Sequence, residues 1–460
     1  MKSSIDAENN CDTPCEIPMP VKTCLDMLVE AGYEAWLVGG CVRDLVMGRV
    51  PADYDVTTSA RVDEMRHIFS AYKIVDSGAH FGTLTIMINQ FAIEVTTYRT
   101  ESEYADSRHP TMVTFVSSLS EDLIRRDFTM NALAMDAEGH IVDEVGGCSD
   151  ISAGLIRAVG QADERFSEDP LRIMRALRFA AELEFDIEED TFSAMLRMHD
   201  RLTAISSERI YAEINRLLCA AGVAETLIVG RDIFFYIFKM RDILEQYQYK
   251  NQELIQSAWN RTATAVGSVK KDFAVRLGAL AMFADYLLEG SELLHHSTTD
   301  IREAKVCRVR ISKNVQNSIK CGKNVKSLME KIVDHVDEKW VADATYFRGL
   351  LYKIGEAGVW LVLDFIEDLA EAGVLPRHIA EPETLVSARN TISQIFEDGD
   401  CWSLSCLAVN GADIESLGVP RGECIGKLLE LCVQRVIRHP EDNRKETLLA
   451  FAKNQFDLIK

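Results

Sequence analysis

Apolar and polar positions follow two different periods along this chain, and the change of period divides it. In the first third, short β-rich runs are interleaved with helical stripes. Val21 to Gly32 carries Cys24, Leu25, Leu28 and Val29 at helical spacing, and Trp36 to Val38 is an apolar run that predicts a strand. The run stops at Gly39-Gly40, and Cys41 to Met47 predicts a short helix closed by Gly48. Val56-Thr57-Thr58 predicts another strand and Arg61 to Phe69 a helix. Leu84 to Ile88 and Phe91 to Thr97 predict a hairpin turning at Asn89-Gln90. Tyr98 to Met112 is polar and aperiodic, and predicts a loop of a length that suggests function or mobility. Ile141 to Gly147 predicts a last strand and a Gly-Gly turn. Beyond it apolar residues recur at three and four, so helix predominates. Near the C-terminus, Gly and Pro between Asn410 and Gly426 mark a turn feeding a helix at Ile425 to Val436. The pattern predicts an α+β chain: a mixed sheet with helices to a boundary near residue 150, then an all-α remainder.

A chain of 460 residues predicts two to four domains. It is 47% apolar and 27% charged, an ordinary soluble balance, and no run approaches the ~20 apolar residues of a membrane helix. Residues 1–20 are polar, lack a signal-peptide core and predict a loose tail. The twelve cysteines lie mostly inside apolar patterns, as at Cys24, Cys41, Cys219 and Cys432. Cys11/Cys15 and Cys401/Cys406 have no His or Cys partners at zinc spacing, so the reading is reduced, buried thiols in a cytoplasmic protein. The net charge of −22 speaks against nucleic-acid binding unless positive charge is segregated. Lys305 to Lys326 segregates it, with seven Lys/Arg and no Asp or Glu; this is either an RNA contact or a solvated basic face.

Candidate chemistry concentrates between residues 36 and 58. Asp53 and Asp55 share one face of a strand with Tyr54 opposite, and two adjacent carboxylates repel until a divalent cation intervenes. Hard cations such as Mg2+ take carboxylate oxygens and then phosphate oxygens. Paired Gly39-Gly40 at a helix start lets backbone N–H groups approach an anion, and Arg43 adds a positive fork. Together these offer a triphosphate cradle beside a metal pair. Glu94 stands in an otherwise apolar strand. It reads as a third carboxylate, serving as metal ligand or as base for an attacking hydroxyl, or as an edge-strand Glu facing water. Arg125 and Arg126 suit phosphate or ribose oxygens, and Asp127 suits fixing an arginine or a ribose hydroxyl. Around Glu168 to Ala181 a helix is predicted with Ser167 as N-cap, acids in the first turn and Pro170 tolerated there. Arg172, Arg175 and Arg178 then fall on one broad face, which capping does not explain.

Gly-Gly-x-x-Arg-Asp, followed by Asp-x-Asp-x-x-Thr, resembles the signature of the nucleotidyltransferase superfamily with a polymerase-β-like catalytic fold. Arg125-Arg126-Asp127-Phe128-Thr129-x-Asn131-Ala132, Glu168-Asp169-x-x-Arg172 and Glu208-Arg209-x-x-x-Glu213 are similar to further motifs of the class II CCA-adding enzymes and bacterial poly(A) polymerases. The likeness is strongest in 36–215, and 410–450 matches the family's tail pattern. It implies a catalytic head at 21–150, a helical neck at 151–220, a body at 221–340 and a tRNA-binding tail at 341–460. It implies two Mg2+ ions on Asp53 and Asp55, triphosphate on Gly40 and Arg43, and ribose and phosphate on Arg125 and Arg126. It also makes Asp169 and Arg172 the pair that reads the incoming base. A carboxylate only accepts and a guanidinium only donates, so the pair suits the amino donor and ring-nitrogen acceptor of C and A and repels U and G. Arg175 and Arg178 would orient that pair or reach phosphates. Arg209 and Glu213, four apart, suit an ion pair supporting the template helix. The implied substrates are CTP, ATP and the 3′ end and acceptor/T arm of tRNA, with no membrane partner and a monomer or homodimer. The loop at Tyr98 to Met112 matches a flexible loop needed for the final A. Where many relatives carry paired His-Asp ligands, this chain has Ala281-Met282-Phe283-Ala284-Asp285, and His295-His296 lack a matching carboxylate pattern, so no second metal-dependent phosphohydrolase site is expected. Poly(A), CC-only and A-only polymerases share these motifs, and a non-catalytic RNA-binding protein on the same fold is the reading from another class.

Overall fold

The computed structural model describes residues 16–76, 78–104, 110–115, 118–290 and 298–459. The chain forms two compact units, Met1–Ile237 and Phe238–Lys460.

The first unit is built on a seven-stranded mixed sheet. Its strands are β1 (Ala35–Val38), β2 (Tyr54–Thr58), β3 (Lys73–Val75), β4 (Thr83–Ile88), β5 (Phe91–Thr97), β8 (Leu133–Met135) and β9 (Ile141–Asp143). β6 (Arg99–Tyr104) and β7 (Pro110–Phe115) form a ribbon of their own. The order in the large sheet is β3-β4-β5-β2-β1-β8-β9. β2 and β5 run parallel and the other neighbours antiparallel. Alternation does what it promises on β4 and β5: Leu84, Ile86, Ile88, Ile93 and Val95 are buried, while Ala92 and Glu94 face outward. α1 (Met19–Glu30) covers the sheet with Val21, Cys24, Leu25 and Leu28. The hairpin turns where expected, with Asn89 and Gln90 at φ 46° and 73°, the left-handed pair a tight two-residue turn requires. α2 (Gly40–Val46) and α3 (Val62–Ile68) also fall where the pattern puts them.

Three features differ from the sequence reading. The stretch from Tyr98 to Met112 is not a loop: β6 and β7 pair antiparallel from Arg99↔Phe115 to Tyr104↔Pro110, residues 105–109 lying outside those described. Ladder hydrogen bonds come from the backbone, so a polar run without a hydrophobic period can still form a ribbon. The edge strand β3 is too short for a period to reveal it. After α4 (Leu119–Ile124), α5 (Gly147–Ala153) and the two-residue strand β10 (Leu155–Ile156), the helix read over Glu168 to Ala181 proves to be two. α6 (Ala162–Glu168) ends before Asp169, and α7 (Leu171–Leu183) begins after Pro170. Ser167 therefore lies in the last turn of α6 and caps nothing. Proline excludes the helical conformation from the residue before it, and Asp169 is extended at φ −139°, ψ 100°. β11 (Asp186–Ile187) then pairs parallel with β10, α8 (Glu189–Met198) packs on α6, and α9 (Ser207–Leu218) packs on α7.

The second unit is helical throughout its described residues, and no helix among them is long and apolar enough to cross a membrane. Arg308 and Asp285, both fully buried, pair at 2.6 Å; Asp337 takes the other Nη of Arg308 at 2.9 Å, and His378 Nε2 lies 3.1 Å from Asp285. His295-His296 lie outside the described residues. Of the basic stretch, Lys305 and Arg308 are committed to Asp337 and Asp285, while Arg310, Lys313, Lys320 and Lys323 are exposed. In the C-terminal stretch, Asn410 caps a helix at Gly411–Glu415 inside the expected turn, and Glu423–Arg438 follows. Ile414, Leu428, Cys432, Val436, Leu448 and Ala452 form the core there.

Two glycine replacements test this packing with opposite signs. A Cβ on Gly147 would lie 2.3 Å from the Thr129 carbonyl oxygen, so Gly147→Ala is expected to destabilise by about 1–3 kcal/mol. Gly349, inside the helix Ala344–Ile354, meets nothing within 4 Å, so Gly349→Ala is expected to stabilise by about 1 kcal/mol. Thermal and urea unfolding of the two variants reads both.

Candidate functional site

One face of the first unit holds a cavity of about 450 Å³, the size of a small-ligand site. Parallel pairing of β2 and β5 places Asp55 directly opposite Glu94 in register, and both line it. Asp53 is exposed immediately before β2 and is not among the lining residues. Burial first, then the charges of Asp53 and Glu94, push the Asp55 carboxyl up to about 6; Arg126 opposes them. Asp53, Asp55 and Glu94 are a carboxylate donor set of the kind a hard divalent cation takes, and the cation's charge would relieve Asp55. They do not close into a tight group. Among the described residues the one such group, with ligand atoms within 4.8 Å, is Asp136, Glu138 and His140. It lies in the β8–β9 turn, where Asp136 already accepts the backbone N–H groups of Glu138 and His140.

Opposite the carboxylates stand Arg125 and Arg126. α4 ends just before them, so Asp122 lies three and four residues back on the same side. It takes Arg125 Nη2 at 2.7 Å and Arg126 Nη2 at 3.2 Å. Asp122 is wholly buried. Burial raises its carboxyl, the two guanidinium charges more than offset that, and it rests below the usual carboxylate range. Gly39 is the N-cap of α2 at φ 78°, and a Cβ there would lie 2.8 Å from Arg126 Nη1. Only glycine meets both demands, so Gly39 serves the approach of Arg126 as well as the turn.

Asp127 joins the sheet to α7. Its Oδ2 accepts from Arg175 Nε and Nη2 at 2.7 and 2.6 Å. Its Oδ1 accepts from the Phe128 N–H at 2.8 Å and from Asn131 Nδ2 at 3.2 Å. Burial would raise the Asp127 carboxyl, but the charges of Arg175 and Arg172 hold it at about 2. Asn131 Oδ1 in turn accepts from Arg43 Nη1 at 2.8 Å, and Asp44 takes the other edge of that guanidinium. Arg43 is nearly buried and does not line the cavity; its donors hold α2 in place. The Phe179 ring, in T-shaped contact with Phe128, has the guanidiniums of Arg43, Arg175 and Arg178 at 5.2, 5.3 and 4.0 Å from its centroid.

The break before Pro170 sets the far wall. Asp169 Oδ1 accepts the Leu171 N–H at 3.0 Å, and Oδ2 pairs with Arg209 at 2.8 Å. Arg172 donates to Glu168 at 2.7 Å and to the carbonyls of Arg165 and Arg125; its Nε–H has no partner among the described residues. Asp169, Arg172, Arg175 and Arg209 all line the cavity. Arg178 does not. It is buried against Glu213 at 2.6 Å and Glu182 at 3.0 Å. Arg209 and Glu213 thus reach from α9 to either side of the Pro170 break, one to Asp169 and one to α7. The structure brings together Asp55, Glu94, Arg125, Arg126, Asp169, Arg172 and Arg175, and leaves Asp53, Gly39, Gly40, Arg43 and Arg178 off the lining. Sequence reasoning passed over Asp122, Asn131 and Phe179. The spacing of Asp122 to Arg125 and Arg126 was a usable signal, and Asn131 stood inside the motif at 125–132 with no role given to it; Phe179 looks like an ordinary core position.

A model of the Poly A polymerase head domain matches residues 35–157, and one described as "Probable RNA and SrmB-binding site of polymerase A" matches 184–229. Fold and cavity together define the class, a nucleotidyltransferase. The chain is 34% identical over 430 residues to a CCA-adding enzyme of Geobacillus sp. (strain WCH70), covering 92% of this chain and 94% of that one. It is 33% identical to a CCA-adding enzyme of Limosilactobacillus fermentum, covering 94% and 96%. The crystal structure of the Bacillus stearothermophilus CCA-adding enzyme in complex with CTP superposes with a TM-score of 0.68 at 27% identity, covering 96% of this chain and 99% of the other. The chain belongs to the CCA-adding enzyme family. Members of this class use divalent metal ions, and the Asp53, Asp55 and Glu94 donor set fits such an ion.

Asp127→Asn tests the clamp. Removing one partner of a buried ion pair is expected to lower unfolding stability at pH 7 by about 3–5 kcal/mol. The native carboxyl sits at about 2, below its unfolded value near 4. Its contribution is therefore present above that unfolded value and fades as pH falls toward the native one. Urea unfolding at pH 7, 5, 4 and 3 is expected to show the wild-type advantage shrinking only in the last steps.

Proposed function

We propose that this enzyme adds C, C and A to the 3′ end of tRNA from CTP and ATP, releasing pyrophosphate at each step. The observation that carries this reading is that a base-reading acceptor and donor, Asp169 and Arg172, line the same cavity as the carboxylates Asp55 and Glu94. Asp53 and Asp55 would hold Mg2+, with Glu94 as a third ligand or as base toward the tRNA hydroxyl. Such ions assist ionisation of an attacking hydroxyl and stabilise a departing pyrophosphate. Arg125 and Arg126, oriented by Asp122, receive ribose and phosphate oxygens. Gly39 and Gly40 keep the loop beside them close to the triphosphate, and Arg43 anchors that loop. Arg175, clamped to Asp127, faces the cavity to orient the Asp169–Arg172 pair or reach phosphates, and Arg178 acts from behind through Glu213. The Asp169 carboxylate accepts the exocyclic amino group, and an Arg172 N–H donates to the ring nitrogen. Both contacts turn repulsive for U and G. The partition into head 21–150, neck 151–220, body 221–340 and tail 341–460 belongs to this proposal. So do tRNA backbone contacts at the exposed Arg310, Lys313 and Lys323 and a cytoplasmic setting.

The test is incubation with Mg2+, tRNA lacking its 3′ end, and each nucleoside triphosphate singly and mixed, with products sized on a gel beside Asp53→Ala. Three added nucleotides from CTP plus ATP, none from UTP or GTP, and none with Asp53→Ala are expected. A long ladder from ATP alone would make it a poly(A) polymerase. Stopping after CC, or requiring a CC end, would make it a partial enzyme. No incorporation with tRNA still bound would leave a binding protein. In the same assay Arg172→Ala is expected to lower discrimination between CTP and UTP by about 10–100-fold, from the loss of one charged hydrogen bond.

A further inference from the structure

Two cysteines of the second unit stand in a relation that the fold does not require. Cys401 is buried in the C-terminal helical core, and Cys406 is exposed on the short turn Leu404–Cys406. Both thiols donate to one acceptor, the Ser403 carbonyl oxygen, at 3.4 and 3.2 Å, so the sulfurs lie side by side. The Cys406 sulfur also receives the Ser403 backbone N–H at 3.2 Å and lies 3.3 Å from Ser403 Oγ. The two thiols are close enough to influence each other's ionisation. If Cys406 ionises, the Ser403 N–H and the Ser403 hydroxyl are already placed to donate to it. Burial raises the Cys406 thiol, but these hydrogen bonds outweigh it and leave Cys406 below the ordinary cysteine value. Burial, followed by the neighbouring Cys406, pushes Cys401 up to about 12. Cys24, Cys41, Cys307, Cys321 and Cys432 are all pushed up by burial. An accessible sulfur inclined to ionise, beside a protonated partner shielded from solvent, is the arrangement of a reacting thiol with a resolving thiol.

We propose that Cys406 is a peroxide-reactive thiol and Cys401 its resolving partner, the two closing reversibly to a disulfide. The Cys406 thiolate attacks one oxygen of hydrogen peroxide. The O–O bond breaks, a sulfenic acid forms, and the departing hydroxide takes a proton to become water. The Cys401 sulfur then gives up its proton and attacks the Cys406 sulfur. The S–S bond forms, the S–O bond breaks, and a second water leaves. Two thiols have lost two electrons and the peroxide has gained them. A dithiol reductant reverses the change by thiol–disulfide exchange. The bond closes the turn carrying Trp402, whose ring meets Phe396 edge-on at 6.3 Å, so oxidation acts on the packing of the C-terminal helices.

The test is stoichiometric hydrogen peroxide on the reduced full-length chain, followed by intact mass and peptide mapping. Loss of two hydrogens, mapped to a Cys401–Cys406 link and reversed by dithiothreitol, is expected. Cys406→Ser, an exposed replacement, is expected to abolish that loss. Cys401→Ser is expected to gain one oxygen at Cys406, trapped by dimedone. A link mapped elsewhere, oxidation spread evenly over the cysteines, or an unreacted pair would overturn the proposal. Should Cys401→Ser fail to fold, alkylation of the wild-type chain at pH 7 decides independently. Iodoacetamide is expected to modify Cys406 about tenfold faster than the half-buried Cys424; equal rates would sink the idea.

Discussion

A single buried carboxylate, Asp127, holds the polymerising half of this enzyme in register. One oxygen grips Arg175 of α7; the other is held by Asn131 and its own backbone neighbour, and through Asn131 it reaches Arg43 of α2. A lone charge at that depth would be expelled or neutralised. The pair persists because each Asp127 oxygen accepts from two donors, and that completeness on the carboxylate side makes the joint stiff. The sheet that carries Asp55 and Glu94 and the helix that carries Arg172 can then face one cavity at a constant distance. Positioning of this kind is what phosphoryl transfer chiefly asks of a protein.

The same economy of charge recurs elsewhere. Arg178 lies between Glu182 and Glu213, Arg308 between Asp285 and Asp337, and Arg389 between Asp364 and Glu367. Each of these guanidiniums is bracketed by two carboxylates. A chain that satisfies several of its arginines this way accumulates more acid than base, so part of the −22 net charge is structural. Each such bracket carries one net negative charge, so the three together supply only a small share of the −22. Among the described residues the buried charges do not carry that excess, since Arg43, Arg178, Arg276, Arg308 and Arg348 stand against Asp122, Asp127, Asp150 and Asp285; the excess lies outside the core, where basic groups such as Arg310 and Lys313 are also exposed.

Most of the sheet was legible because burial on one side imposes a period of two, as on β4 and β5, and the hairpin because only a few residue pairs turn that tightly. The β6–β7 ribbon was not, since backbone pairing leaves no trace in side-chain polarity. The helix break at Asp169 was legible and was read through: Pro170 announced it, while the capping pattern of Ser167 pointed the other way. In the site, the residues that face the cavity stood out because their types are unusual for their positions. Those that hold them in place did not. Arg175 lies 48 residues from Asp127, and no local pattern links them. Phe179 reads as one more apolar residue on an amphipathic helix until three guanidiniums are seen around it.

Parallel pairing of β2 and β5 has a consequence for how this family can change. Asp55 and Glu94 are neighbours only through the register of two strands separated in the chain by α3, β3 and β4. A one-residue insertion or deletion inside either strand would invert every side chain beyond it and carry a carboxylate to the buried face. Within the intervening segment β4 is held in register by β5 and β3 by β4, so length can change only in the connections between α3, β3 and β4 that precede Thr83. Length variation among relatives should therefore gather between Ser59 and Gly82 and spare the strands on either side, a pattern that an alignment of the family can read directly.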